Sequence, residues 1–102
     1  MKSTIHNAII ASGCEVEGAN VEKSALGYRV RFAAGSSLNE SILLGKVHVG
    51  NQCQLHKVIA DKDVVIAPNM HIGFDHKRDK ARGLTVTDTG VTVIPKGMVV
   101  GY

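Results

Sequence analysis

Tryptophan is absent from this 102-residue chain, and aromatic side chains are limited to two tyrosines and two phenylalanines. Without platforms on which bases could stack, and with its basic residues interspersed among acids at a formal charge of only +3, the chain does not read as a general nucleic-acid binder. Long apolar runs are also missing. No segment is long enough to cross a bilayer, and Met1-Lys2-Ser3-Thr4 lacks a signal-like apolar stretch, so no membrane partner and a cytoplasmic location are expected. Cysteine is scarce: Cys14 and Cys53 are expected to face inward from different faces of the fold, too far apart for a disulfide, and to act as reduced core residues.

What the chain does contain is a rhythm. An aliphatic or aromatic residue recurs every five or six positions, with a small or apolar residue two places before it. The pairs are Ala8/Ile10, Cys14/Val16, Ala19/Val21, Ser24/Leu26, Val30/Phe32, Ser36/Leu38, Ile42/Leu44, Val47/Val49, Cys53/Leu55, Val58/Ala60, Val64/Ile66 and Met70/Ile72. An amphipathic helix repeats near 3.6 and a long strand repeats at two, so neither yields this spacing. A stacked coil does. Short strands pointing two side chains inward, each followed by a turn to the next face of a prism, give an all-β, left-handed parallel β-helix of the hexapeptide-repeat kind, expected over residues 8–73.

Taking every third repeat as one face gives the expected inner columns: Ile10/Leu26/Leu44/Ala60, Val16/Phe32/Val49/Ile66 and Val21/Leu38/Leu55/Ile72. No column holds a charge, as a core of stacked apolar rungs requires. Gly13, Gly18, Gly27, Gly35, Gly45, Gly50 and Gly73 are expected at or near corners, where a positive φ is often needed.

After Gly73 the rhythm stops. Asp75 to Arg82 reads as a short polar helix with an Asp N-cap, closed by Gly83. Leu84 to Ile94 alternates around Asp88-Thr89-Gly90 as a hairpin, and a last strand is expected at Met98 to Val100. Domain organisation therefore reads as a β-helix over 1–73 with a helix and hairpin cap over 74–102 that covers the open end of the stack.

Several stretches carry a family resemblance: His6-Asn7-Ala8 through Ser12-Gly13-Cys14, Val58-Ile59-Ala60-Asp61-Lys62, the corner from Ala67-Pro68 to Ile72-Gly73, and Asp79-x-x-Arg82 followed by Thr89 through Lys96. Together they resemble the C-terminal domain of ADP-glucose pyrophosphorylase, also called glucose-1-phosphate adenylyltransferase. The resemblance includes the non-repeating tail. It implies a domain for subunit association, as a homo-oligomer, and for binding an anionic sugar-phosphate or related effector. The family's catalytic domain, where ATP and glucose 1-phosphate react with magnesium, has no counterpart here: there is no glycine-rich nucleotide loop and no carboxylate pair for a metal. No cofactor is expected in this chain, and the chain alone is expected to be inactive. Lys62 and Lys96 fall on family positions that contact the activator, and a flexible ammonium suits a phosphate or carboxylate. Asp79 and Arg82 match the tail's polar helix and are read as structural.

Other functions remain open at this point. Some left-handed β-helices are zinc carbonic anhydrases and others are acyltransferases with a catalytic histidine. His71 and His76 have a suggestive gap, but zinc needs at least three ligands around one point. His48 is expected on a different face from His71, and Gln54 is expected one coil beneath His71. A purely structural oligomerisation module is the remaining class, since flat prism faces pair readily by symmetry.

Overall fold

The computed structural model describes residues 4–16 and 18–101. Short strands follow one another around a three-sided prism. The first coil consists of β1 (Thr4–His6), β2 (Ile9–Ile10) and β3 (Glu15–Val16), and the second of β4 (Asn20–Glu22), β5 (Ala25–Tyr28) and β6 (Arg31–Phe32). The third holds β7 (Ser37–Asn39), β8 (Ile42–Gly45) and β9 (His48–Val49), and the fourth β10 (Gln54–His56), β11 (Val58–Ala60) and β12 (Val65–Ile66). Beyond them come β13 (His71–Ile72), helix α1 (His76–Ala81), β14 (Thr85–Val86), β15 (Thr92–Ile94) and β16 (Val99–Val100).

Each strand pairs with its counterpart one coil away, giving three parallel sheets in the orders β1-β4-β7-β10-β13, β14-β15-β11-β8-β5-β2 and β16-β12-β9-β6-β3. The antiparallel exception is β14, which pairs with β15 through Thr85–Val93 and Val86–Thr92. The expected parallel β-helix is thus the observed architecture. Equivalent residues such as Ser24 and Ser41 lie 17 positions apart, and the first coil is one residue shorter, Ile9 pairing with Ala25.

Corners explain how strands this short can turn so often. Each corner places one residue in the left-handed region: Asn7, Lys23, Glu40 and Lys57 on one edge, Gly13, Arg29, Lys46, Asp63 and Gly97 on the second, and Gly18, Gly35, Gln52 and Asn69 on the third. A side chain there costs about 1–2 kcal/mol relative to right-handed backbone. Inter-coil hydrogen bonds offset that cost: Lys23, Glu40 and Lys57 donate their N–H groups to the carbonyls of His6, Glu22 and Asn39 at 3.0–3.1 Å. Of the glycines expected at or near corners, Gly45 and Gly50 flank the corner residues Lys46 and Gln52, but they and Gly27 do not have positive φ. Gly27 lies within β5 for a different reason, since a Cβ there would sit 1.8 Å from the Leu44 carbonyl oxygen.

The inner columns are buried together, with one correction. Val21, Leu38, Leu55 and Ile72 form one, and Phe32, Val49 and Ile66 another, all at 3% exposure or less. In the remaining column the buried residue is Leu43, at 0%, whereas Leu44 is 41% and Ile42 42% exposed. Leu43 stands between Leu26 and Ala60, while Ile42 aligns with Ala25 and Ile59 on the outer surface. Ser41 causes the shift. Buried at the inner corner, it donates its hydroxyl to the Asn39 carbonyl and accepts the Val58 N–H, just as Ser24 donates to the Glu22 carbonyl and accepts the Ser41 N–H. The pair is therefore Ser41/Leu43. Ile10 is 36% exposed because β2 terminates its sheet. Cys14 is partly buried and Cys53 buried, both as free thiols.

The tail follows the expected order. Asp75 caps α1 by accepting the Arg78 N–H at 3.2 Å, Gly83 follows its end with φ +87°, and the Thr87–Val91 hydrogen bond closes the hairpin. It is more than a lid. Its strands β15 and β16 re-enter the prism as parallel neighbours of β11 and β12.

Candidate functional site

Re-entry of the tail sets the surroundings of Lys62 and Lys96. Lys62 lies in the corner between β11 and β12, and Lys96 in the corresponding corner between β15 and β16. Three backbone bonds align the two corners: Asp61 N–H to the Ile94 carbonyl at 3.0 Å, Gly97 N–H to the Lys62 carbonyl at 2.9 Å, and Val65 N–H to the Met98 carbonyl at 3.0 Å. Lys62 and Lys96 therefore occupy adjacent rungs of one prism edge. Both are exposed. The Asp61 carboxylate is turned back on the chain, accepting the Lys62 N–H at 2.7 Å. Among the described residues the ion pairs are Glu15–Arg31 and Asp79–Arg82, so neither lysine head is held by an acid. Two lysines on adjacent rungs, each with a flexible stem, can offer ammonium groups to a phosphate or carboxylate as point-charge partners.

The same edge continues into earlier coils. Arg29 and Lys46 take its left-handed corner positions, with the Lys46 N–H bonded to Tyr28 and the Asp63 N–H to Gly45. Beside them runs an open groove of about 590 Å³, lined by Arg29, Arg31, Lys46 and His48 but also by Glu15 and Asp63. A second, of about 500 Å³, continues along the face of β6 and β9 over Phe32, Ala33, Ala34 and Gly50. Neither groove is lined by Lys62 or Lys96. The sequence analysis missed that Arg29 and Lys46 share this edge; read at 17 residues, the corner spacing takes Arg29 to Lys46 and Lys46 to Asp63, one position past Lys62.

Histidines are dispersed. His48 belongs to β9 and His71 to β13, on different faces as expected, and His71 lies above Gln54. Phe74 instead gathers two imidazoles: His56 is stacked at 5.8 Å and His71 approaches edge-on at 6.3 Å. Among the described residues no group of three or more His, Cys, Asp or Glu side chains could hold a metal ion. Burial pushes the Cys53 thiol up, against the opposing effect of backbone hydrogen bonds at Met70, Asn69 and Gly50, and its Sγ donates to the Ala67 carbonyl at 3.0 Å. A thiol so placed is a poor nucleophile. On the outer surface of the sheet containing β2, β5, β8, β11 and β15, Ile9 (76% exposed), Ile42 and Leu44 leave aliphatic area open.

Comparison with known proteins complements this geometry. A family described as GlmU-like, C-terminal hexapeptide matches residues 1–94. Glucose-1-phosphate adenylyltransferase 1 of Vibrio vulnificus strain YJ016 is 47% identical over 98 residues, covering 96% of this chain and 24% of the relative. The glucose-1-phosphate adenylyltransferase of Deinococcus radiodurans is 43% identical over the same length and coverage. That of Cutibacterium acnes is 34% identical over 102 residues, covering all of this chain and 25% of its own length. The chain thus spans about a quarter of the length of the relatives it matches, in their C-terminal region.

Proposed function

Since this chain belongs to the GlmU-like C-terminal hexapeptide family, we propose that it acts as the regulatory and subunit-association domain of a glucose-1-phosphate adenylyltransferase, with Lys62 and Lys96 receiving an anionic activator. The adenylyl transfer from ATP to glucose 1-phosphate, with its magnesium, belongs in this reading to a separate catalytic domain, and the whole would work as a cytoplasmic homo-oligomer. The observation that carries the reading is the alignment of Lys62 and Lys96 on adjacent rungs, fixed by the 2.9 Å bond from Gly97 to the Lys62 carbonyl. Residues distant in sequence converge on one edge with unpaired charge, as recognition of a sugar phosphate or phosphoglycerate requires.

A second reading, a structural module without an effector, is favoured by the aliphatic surface around Ile9, Ile42 and Leu44, since exposed apolar area on a flat sheet suits self-association. Thermal melts of the chain with fructose bisphosphate or phosphoglycerate distinguish the two. An activator site predicts a melting temperature that rises with ligand concentration, by the equivalent of about 2.7 kcal/mol at a hundredfold excess over Kd. Lys62→Glu and Lys96→Glu should each diminish the rise while leaving the unliganded melt in place. A wild-type melt unmoved by either compound would leave the structural module standing.

A further inference from the structure

Among the described residues Asp79 is the one charged side chain that is buried, at 0% exposure, on a helix whose other members face solvent. Its Oδ2 accepts the Gly73 N–H at 3.0 Å and the Thr92 hydroxyl at 3.2 Å. Its Oδ1 has no hydrogen-bond partner and lies 3.5 Å from a guanidinium nitrogen of Arg82, which itself donates to the His71 carbonyl at 3.2 Å. One carboxylate thus joins the end of β13, the helix terminus and β15.

The need for such a junction follows from where the repeat breaks. Through β13 each strand is registered by the coil beneath it, at a spacing of 16 residues from the first coil and 17 thereafter. Residues 74–91 then leave the column, and β15 must rejoin the sheet beside β11 with no preceding corner to align it. A slip of one residue would turn every side chain of β15 to the opposite face. It would also carry Lys96 away from Lys62. Backbone pairing alone does not choose between such registers, whereas a directional bond from a fixed, buried carboxylate to the hydroxyl of Thr92 does. An apolar side chain would fill the same space with less desolvation cost but without that selectivity.

We propose that Asp79 is a positioning residue for the Lys62–Lys96 edge, setting through Thr92 the register in which β15 rejoins the prism. This rests on the reading of that edge as an anion site, but its structural half is tested separately. Amide hydrogen exchange followed residue by residue in the 102-residue chain compares Asp79→Ala and Asp79→Asn with wild type. In the Ala variant the Gly97 and Asp61 amides, bonded to Lys62 and Ile94, should exchange about tenfold faster or more. Those of Gln54 and His48, bonded to Met70 and Val64, should be unchanged. Asp79→Asn, which retains an acceptor oxygen, should restore part of the protection, and the melting rise with fructose bisphosphate should shrink in Ala and recover in Asn.

Uniform loss of protection across all four amides, or none at Gly97 and Asp61, would overturn the proposal. Should Asp79→Ala not fold, Thr92→Val removes the hydroxyl while keeping the shape and must show the same pattern at smaller amplitude. A wild-type chain with no response to the bisphosphate would remove the activator reading, and the amide pattern would still decide whether Asp79 sets the register.

Discussion

Leu43 and Leu44 offer a direct experiment on the packing, because neighbours of identical chemistry are assigned opposite environments. Leu43 is fully buried between Leu26 and Ala60, whereas Leu44 is 41% exposed. Full burial of a leucine side chain contributes about 1.5–3 kcal/mol by transfer. Truncation adds a cavity term, since the coils on either side are held by sheet hydrogen bonds and cannot close on the space. Leu43→Ala should therefore destabilise the chain by about 2–5 kcal/mol, and Leu44→Ala by about 1 kcal/mol or less. Urea titration followed by far-UV circular dichroism reads the difference from the midpoints, provided the slopes agree. In a chain of this size each kcal/mol moves the melting temperature by about 4–8 °C, so the gap between the variants is easily resolved. Leu44→Ala costing as much as Leu43→Ala would refute the placement of Ser41 at the inner corner and restore the register read from the repeat alone.

Two other outcomes follow from the same structure. Gly27→Ala should cost more than about 3 kcal/mol, because its Cβ would strike the Leu44 carbonyl and only backbone movement can relieve it; Gly97→Ala, with φ +74° and nothing within 4 Å, should cost about 1–2 kcal/mol, and thermal melts of the two compare them. Cys53 binds its proton more tightly in the folded chain than in the unfolded one, so its contribution to stability is intact at neutral pH and falls as pH rises past the ordinary thiol value. Melts of wild type and Cys53→Ala across that range should converge on the alkaline side, and thiol titration at neutral pH should find Cys53 unreactive until the chain unfolds.

The repeat made most of the core legible because inward positions in a β-helix are apolar or small at fixed intervals, and Phe32, Leu38, Val49 and Leu55 needed nothing more. Residues 41–44 defeated it. Ile42, Leu43 and Leu44 are consecutive aliphatics, so hydrophobicity alone does not indicate the side each takes, and a serine looks like a surface residue until its hydrogen bonds to the strands beside it are seen. Ser24 and Ser36 at equivalent positions were the internal guide. The glycines misled for a related reason: a corner in this stack accepts Lys, Arg, Gln or Asp when a carbonyl of the preceding coil receives its N–H, while Gly27 answers to a close approach inside a strand. For the candidate site, the sequence carried the identity of Lys62 and Lys96 only by family resemblance. Their shared edge depends on β15 rejoining the sheet, which no local pattern encodes.

That rejoining also sets an order on assembly. Through the first coils every strand finds its partner one coil length away, as Ser24 and Ser41 do at 17 residues, so each docking closes a loop of the same modest size and the column can grow by successive small steps. Between β11 and β15 the partners are Val58 and Thr92, two coil lengths apart. Doubling the loop adds only about 0.6 kcal/mol of closure entropy, yet the bond it makes possible requires β11 to be in place already. The edge bearing Lys62 and Lys96 accordingly requires two separate dockings, β11 on the coil beneath it and β15 on β11, so any state in which β15 is undocked lacks that edge even with every earlier coil intact.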